Sequence, residues 1–175
     1  MKKLIFFIAA SWLMSCTVIE QNKAIDYNNA LVEEQEKVAD KINEFIDLIT
    51  IVDSIDYTMV DEKRKEVIES IDLSTNKVNE IGGFGESEDF KNSILAVLKA
   101  YRNGIENEYT TMANFLLLPI EEQTDERYNQ TESIAYVADS LIGLAEENFM
   151  DAQQVFADSY NLQLEFVPEQ PLEEY

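Results

Sequence analysis

Leu31, Val38, Phe45 and Val52 stand seven residues apart, with Gln35, Ile42 and Ile49 on the alternate seam. A seven-residue apolar repeat keeps one side of an α-helix turned towards a partner, so a helix is expected here, opening after Asp26 as a good N-cap. Glu33 with Lys37, and Glu36 with Asp40, fall on its outer face at helical spacing, as a solvated surface requires. A second stripe, Val60, Val67, Ile71 and Val78, is one residue out of phase, since continuing Phe45 and Val52 would demand positions 59 and 66. The mismatch predicts a break between Asp53 and Tyr57. A new helix is expected from Thr58, where Thr58-Met59-Val60-Asp61 approximates a capping box with Asp in place of Glu. Gly82-Gly83-Phe84-Gly85 stops it, with Gly82 placed for a left-handed C-cap.

Ser87 is a suitable cap for a third helix carrying Phe90, Ile94, Leu98, Tyr101, Ile105, Met112 and Phe115 and ending near Pro119, its seam interrupted at Glu108. The fourth segment has Tyr128, Ala135, Ile142, Phe149 and Phe156 at intervals of seven, with Thr131, Ala138, Ala145, Ala152 and Ser159 between them. Large residues alternate with small ones, which lets a neighbouring helix come close on the small side. Four periodic segments on short connections predict an all-α protein, an up-down-up-down antiparallel four-helix bundle spanning residues 25–160, with an irregular C-terminal arm over 161–175.

Composition narrows the chemistry. The 175 residues suffice for one domain, and only 5 Gly and 3 Pro interrupt them, in keeping with long helices. With 13 basic and 35 acidic residues the formal charge is -22, which repels phosphate backbones, so nucleic acid is not expected as a partner. Histidine is absent. That removes the imidazole base, the Ser-His-Asp and Cys-His pairs, and His-ligated zinc or haem. A single cysteine also forbids an intrachain disulfide.

That cysteine closes the most informative stretch. Met1-Lys2-Lys3 is a charged start, Leu4 to Ala10 is almost wholly apolar, and Ser11-Trp12-Leu13-Met14-Ser15-Cys16 follows. A membrane span needs about 20 apolar residues, so a signal peptide over residues 1–15 is the expectation. Leu13-Met14-Ser15-Cys16 resembles the lipobox of bacterial lipoproteins. The resemblance implies a diacylglycerol on the Cys16 sulfur, cleavage before it, and acylation of the new amino terminus. Cys16 is thus the candidate lipidation site, and residues 16–24 are read as the lipidated residue and a polar tether. Losing Lys2 and Lys3 leaves 11 basic against 35 acidic residues, a balance of -24. Thr17 is not the Asp that, in lipoproteins of this kind, favours retention at an inner membrane, so it leans towards an outer one.

Asp26-Tyr27-Asn28-Asn29-Ala30-Leu31-Val32, followed by Gln35, Lys37 and Val38, looks like the start of the mature domain in helical surface lipoproteins of bacteria. What that resemblance implies is an all-helical body on a lipid anchor. It supplies no catalytic residue to carry over.

Few residues remain as candidates for chemistry. The pairs Glu33-Glu34, Glu121-Glu122, Glu146-Glu147 and Glu173-Glu174 could suggest a cation site, but adjacent helical positions diverge by about 100° and cannot clasp one ion. They are read as surface charge. Glu108 lies near a core-facing line; either it is buried with a partner such as Arg127, or Tyr109 takes over the seam by a small rotation of the helix and leaves Glu108 at the rim. Tyr27, Phe45, Tyr101, Phe115, Tyr128, Phe149 and Phe156 fall on the seams, as core or as the walls of an apolar cavity. No catalytic residue, cofactor or metal is expected. The chain reads as a non-enzymatic envelope lipoprotein, held at the membrane by its lipid and displaying an acidic body to an envelope or extracellular protein. The alternative is a lipoprotein that holds an apolar or cationic small molecule.

Overall fold

The computed structural model describes residues 2–51, 56–85 and 88–164, and their side chains from Val18 onward except those of Ile51 and Ile120. The fold class is all-α, with no strand among the described residues. Helix α1 spans Lys2–Ile51 and α2 spans Tyr57–Ile81. Helix α3, Asp89–Asn103, passes through a π turn, Gly104–Glu108, directly into α4, Tyr109–Leu116. After a 3₁₀ turn at Ile120–Glu122, α5 runs from Asp125 to Ser159.

The stripes read from the sequence form the core. Leu31, Val38, Phe45, Ile42 and Ile49 of α1 and Val60, Val67, Ile71 and Val78 of α2 are all buried. So are Phe90, Ile94, Leu98, Tyr101 and Ile105 on the third segment. Cross-contacts pair the start of one segment with the end of the next. Tyr27 reaches Gly82 and Glu44 reaches Lys63 between α1 and α2; Phe90 meets Phe149 and Phe156, and Phe115 meets Tyr128, between α3–α4 and α5.

Several local expectations are corrected. Asp26 does not cap α1: the helix runs through Val18 to Ala24, the stretch read as a tether, and Ala24 is fully buried. No Gly or Pro lies in that stretch to stop it. Helix α2 begins at Tyr57 with Asp56 as its N-cap, the Asp56 carboxylate accepting from the Met59 amide at 2.9 Å. Asp caps at least as well as Thr, so the cap two residues upstream of Thr58 prevails. Gly82 ends α2 at φ 75°, ψ -164°, a positive φ outside the left-handed helical region. Ser87, residues 52–55, the Cys16 side chain and residues 165–175 lie outside what the structure describes, and Glu88 holds the N-cap position of α3. Tyr128, expected on the seam of α5, is exposed, while Phe149 and Phe156 are buried.

Candidate functional site

The seam of α3 explains both the π turn and the fate of Glu108. Positions 94 and 101 set a heptad that arrives next at 108, a carboxylate. The π turn inserts one residue into the helix, its wider ring closed by the Tyr109 amide donating to the Gly104 carbonyl and by the Thr110 hydroxyl donating to the Ile105 carbonyl at 2.6 Å. The insertion rotates Tyr109 into the core and leaves Glu108 half-buried. Gly104 permits the crossing, since a Cβ there would stand 3.1 Å from the Ile142 side chain on α5. Arg127 is not the partner of Glu108; it meets Glu122 at 3.8 Å.

Around that turn the middle of the protein carries a polar waist. The Gln35 amide donates to the Tyr101 hydroxyl at 2.6 Å, which donates to the Glu146 carboxylate at 2.5 Å, so one phenol joins α1, α3 and α5. The Tyr109 hydroxyl donates in the same way to Asp139. Burial, and then the neighbouring carboxylate, push both phenols above the ordinary tyrosine range. Between α1 and α2, the buried Glu34 accepts from the Ser74 hydroxyl at 2.8 Å and from Lys37 at 2.9 Å. The surface-charge reading is therefore corrected for Glu34 and Glu146. The 100° step that separates neighbours sends one member of each pair inward while Glu33 and Glu147 stay exposed. Among the described residues no group of three acidic or sulfur side chains gathers to hold a metal ion.

A concave site lies between residues 20–27 of α1, the loop after α2, the start of α3 and the end of α5. Tyr27, Phe84, Phe90, Phe156 and Tyr160 line an open groove of about 590 Å³. Glu20, Asp89 and Asp151 stand on its lining, and no basic residue does. Three of the rings are placed by identifiable devices. Tyr27 sits on the α1 seam and donates its hydroxyl to the Gly82 carbonyl at 3.1 Å, its phenol pushed up by burial and then by Glu88. Phe84 is carried inward by a loop with positive φ at Gly82 and Gly85. Tyr160 closes α5 through a Schellman motif: the Leu162 amide donates to the Ala157 carbonyl at 2.8 Å and the Asn161 amide to the Asp158 carbonyl at 3.3 Å, with Asn161 at φ 54°. The Tyr160 hydroxyl lies where a Cβ on Gly85 would come within 2.6 Å of it, so the loop and helix end fit only with glycine there. Rings 84 and 160 have centroids 5.1 Å apart at 83°, and rings 156 and 160 are 4.9 Å apart at 46°, which makes a concave wall.

Of the seven seam aromatics, Tyr27 and Phe156 line this groove, and Phe149 stacks on Phe90 beneath it, 5.6 Å away. Phe45 and Tyr101 are core. Phe115 and Tyr128 face each other at 6.4 Å at the opposite end, beside a smaller hollow of about 340 Å³. The sequence reading missed Phe84 and Tyr160. Tyr160 was signalled by its spacing of four from Phe156, whereas Phe84 stood in a cluster read only as a helix stop. Among the described residues no helix is long and apolar enough to cross a membrane. Comparison with protein-family models, with curated proteins and with solved structures finds nothing that matches this chain.

Proposed function

We propose that this chain is a bacterial envelope lipoprotein, anchored through Cys16 and working by binding rather than by catalysis. The lipobox resemblance of Leu13-Met14-Ser15-Cys16 supplies the anchor, with outer-membrane display where an outer membrane exists. The helical, acidic body is the part that meets another envelope or extracellular protein. The observation that carries the binding role is the aromatic groove, a concave surface whose lining mixes rings with carboxylates. It also favours the second reading, a lipoprotein that holds a small apolar or cationic molecule.

The anchor is tested by expressing the chain in a bacterial host fed labelled palmitate. Label in the protein and a diacylated Cys16 peptide by mass spectrometry are expected, with both lost and the protein released from membranes in Cys16→Ser. An unlabelled protein cleaved elsewhere would end the anchor reading. Turnover of a cell-wall or nutrient substrate by purified protein would end the non-enzymatic one.

A further inference from the structure

We propose that the aromatic groove binds an organic ammonium ion, a quaternary or alkylated amine, with its charge facing Glu20 and Asp151 and its alkyl or aryl substituents against Phe84, Phe156 and Tyr160. The inference rests on the binding half of the reading above and not on its lipid anchor.

Four observations lead there. The groove, at about 590 Å³, is large enough to take a small molecule. Its wall is aromatic, and Phe84 and Tyr160 are only half-buried, so ring surface is open to a ligand. A cation over such rings is attracted by their negative faces, more so for a weakly hydrated quaternary ammonium than for a small hydrated ion. The charges present are all of one sign: Glu20 and Asp151 are exposed, and Asp89, engaged in contacts of its own, adds to the same field. An anion is opposed both by this rim and by the net charge of -22.

Other occupants fit less well. A neutral apolar ligand would use the rings and leave the carboxylates without a role. The chain's own residues 165–175 bring Phe166 and Tyr175, but also Glu165, Glu169, Glu173 and Glu174 and no base, the wrong charge for this rim. Choline-like headgroups and free amines share the ammonium chemistry, and the source is separable by experiment.

The test is calorimetric titration of the full chain with benzyltrimethylammonium, benzyl alcohol and benzoate. The cation is expected to bind about 2- to 30-fold more tightly than the alcohol, the range a cation–ring contact supplies, and benzoate least. Glu20→Gln with Asp151→Asn, both surface changes, is expected to weaken the cation about fivefold and leave the alcohol unchanged. Cys16→Ser is expected to alter none of these, so failure of the anchor and failure of the groove are read separately. Phosphatidylcholine vesicles added as competitor strip the probe if the natural ammonium is a lipid headgroup and leave it bound if it is a free solute; either result supports the proposal. Equal affinity for cation and alcohol, or indifference to the double variant, overturns it. So does a full chain that gives no heat with the cation while a chain ending at Leu164 binds it, which would assign the groove to residues 165–175.

Discussion

The aromatic end and the polar waist are built from the same two ingredients, tyrosines or phenylalanines and carboxylates, and use them in opposite ways. At the waist three carboxylates are matched to hydroxyls: the half-buried Glu146 to Tyr101, the exposed Asp139 to Tyr109 and the buried Glu34 to Ser74. No buried polar side-chain atom among the described residues lacks a partner. At the aromatic end the rings bind one another, and Glu20 and Asp151 remain on the surface of an open groove. Carboxylates consumed by internal hydrogen bonds specify how helices sit together. Glu20 and Asp151, beside the half-buried Phe84 and Tyr160, face solvent instead.

The comparison breaks most readily at Phe90, the ring shared by the groove wall and the core. It is 4% exposed and touches Tyr27, Phe149 and Phe156 with centroids 5.1 to 6.2 Å away. Phe90→Ala is expected to cost about 3–5 kcal/mol in urea unfolding, the cavity being fenced by rigid rings that cannot collapse into it. The same change at Phe115, whose neighbour Tyr128 is exposed, is expected to cost less. Equal losses would mean that the two ends are packed alike.

At the waist the expected effect is smaller and depends on pH. Tyr101→Phe keeps the ring and removes the hydroxyl between Gln35 and Glu146, at an expected cost of about 1–2 kcal/mol. The folded-state pKa values of Tyr101 and Tyr109 lie above the unfolded value of 10.0, so the native state holds these protons longer than the unfolded chain does. Their contribution is fully present below pH 10.0 and drains away as the pH climbs beyond it. Ultraviolet titration is expected to show the Tyr101 and Tyr109 phenols ionising above the ordinary tyrosine range, together with loss of helical circular dichroism. Tyrosines that all ionise reversibly in the folded protein would contradict the buried network.

Periodicity made the core legible and left the site mostly unread, for a physical reason. Burial of a helix face repeats along the chain, so Val60, Val67, Ile71 and Val78 declared themselves, as did the alternation that buries Ala138 and Phe149. The groove depends on Phe84, whose position follows from two glycines with positive φ, and on Tyr160, set by a helix-ending motif. Neither is periodic. Glu108 was legible as an alternative: the seam did pass to Tyr109, although by an inserted π-turn residue and not by a small rotation of the helix. Glu34 and Glu146 were misread because acidic type was taken as a sign of exposure, when each had a hydroxyl from another helix within reach.

Gly85 tests the aromatic end without touching a ring. It has φ 68°, and an added Cβ would meet the Tyr160 hydroxyl at 2.6 Å. Gly85→Ala is expected to cost about 1 kcal/mol from the backbone alone, and more if Tyr160 cannot move aside. Gly82→Ala shares the positive φ but finds nothing within 4 Å of its Cβ, so it isolates the backbone part. The difference between the two variants measures how firmly Tyr160 is held over the loop. If Gly85→Ala proves no more costly than Gly82→Ala, Tyr160 swings freely and the groove wall is soft.

The smallest expected effect on stability lies far from both regions, at the other end of α1 and α2. Glu44 accepts from Lys41 at 2.8 Å and from Lys63 at 2.5 Å, and these two hydrogen bonds, in that order, bring its carboxyl from 4.5 down to about 2. Its folded value is depressed, so any stabilisation is present above pH 4.5 and is lost as the pH falls towards about 2. Its side chain is 47% exposed, and water and salt screen the pair, so little of that shift becomes folding stability. Carboxyl-detected NMR is expected to find Glu44 titrating well below 4.5, and Lys63→Ala to move it part of the way back while the melting temperature at neutral pH hardly changes. Glu146 and Asp139 differ because their partners sit on buried rings: Tyr101→Phe should lower the melting temperature where Lys63→Ala does not. A large loss from Lys63→Ala would show that surface charge, and not internal hydrogen bonding, holds this acidic body together.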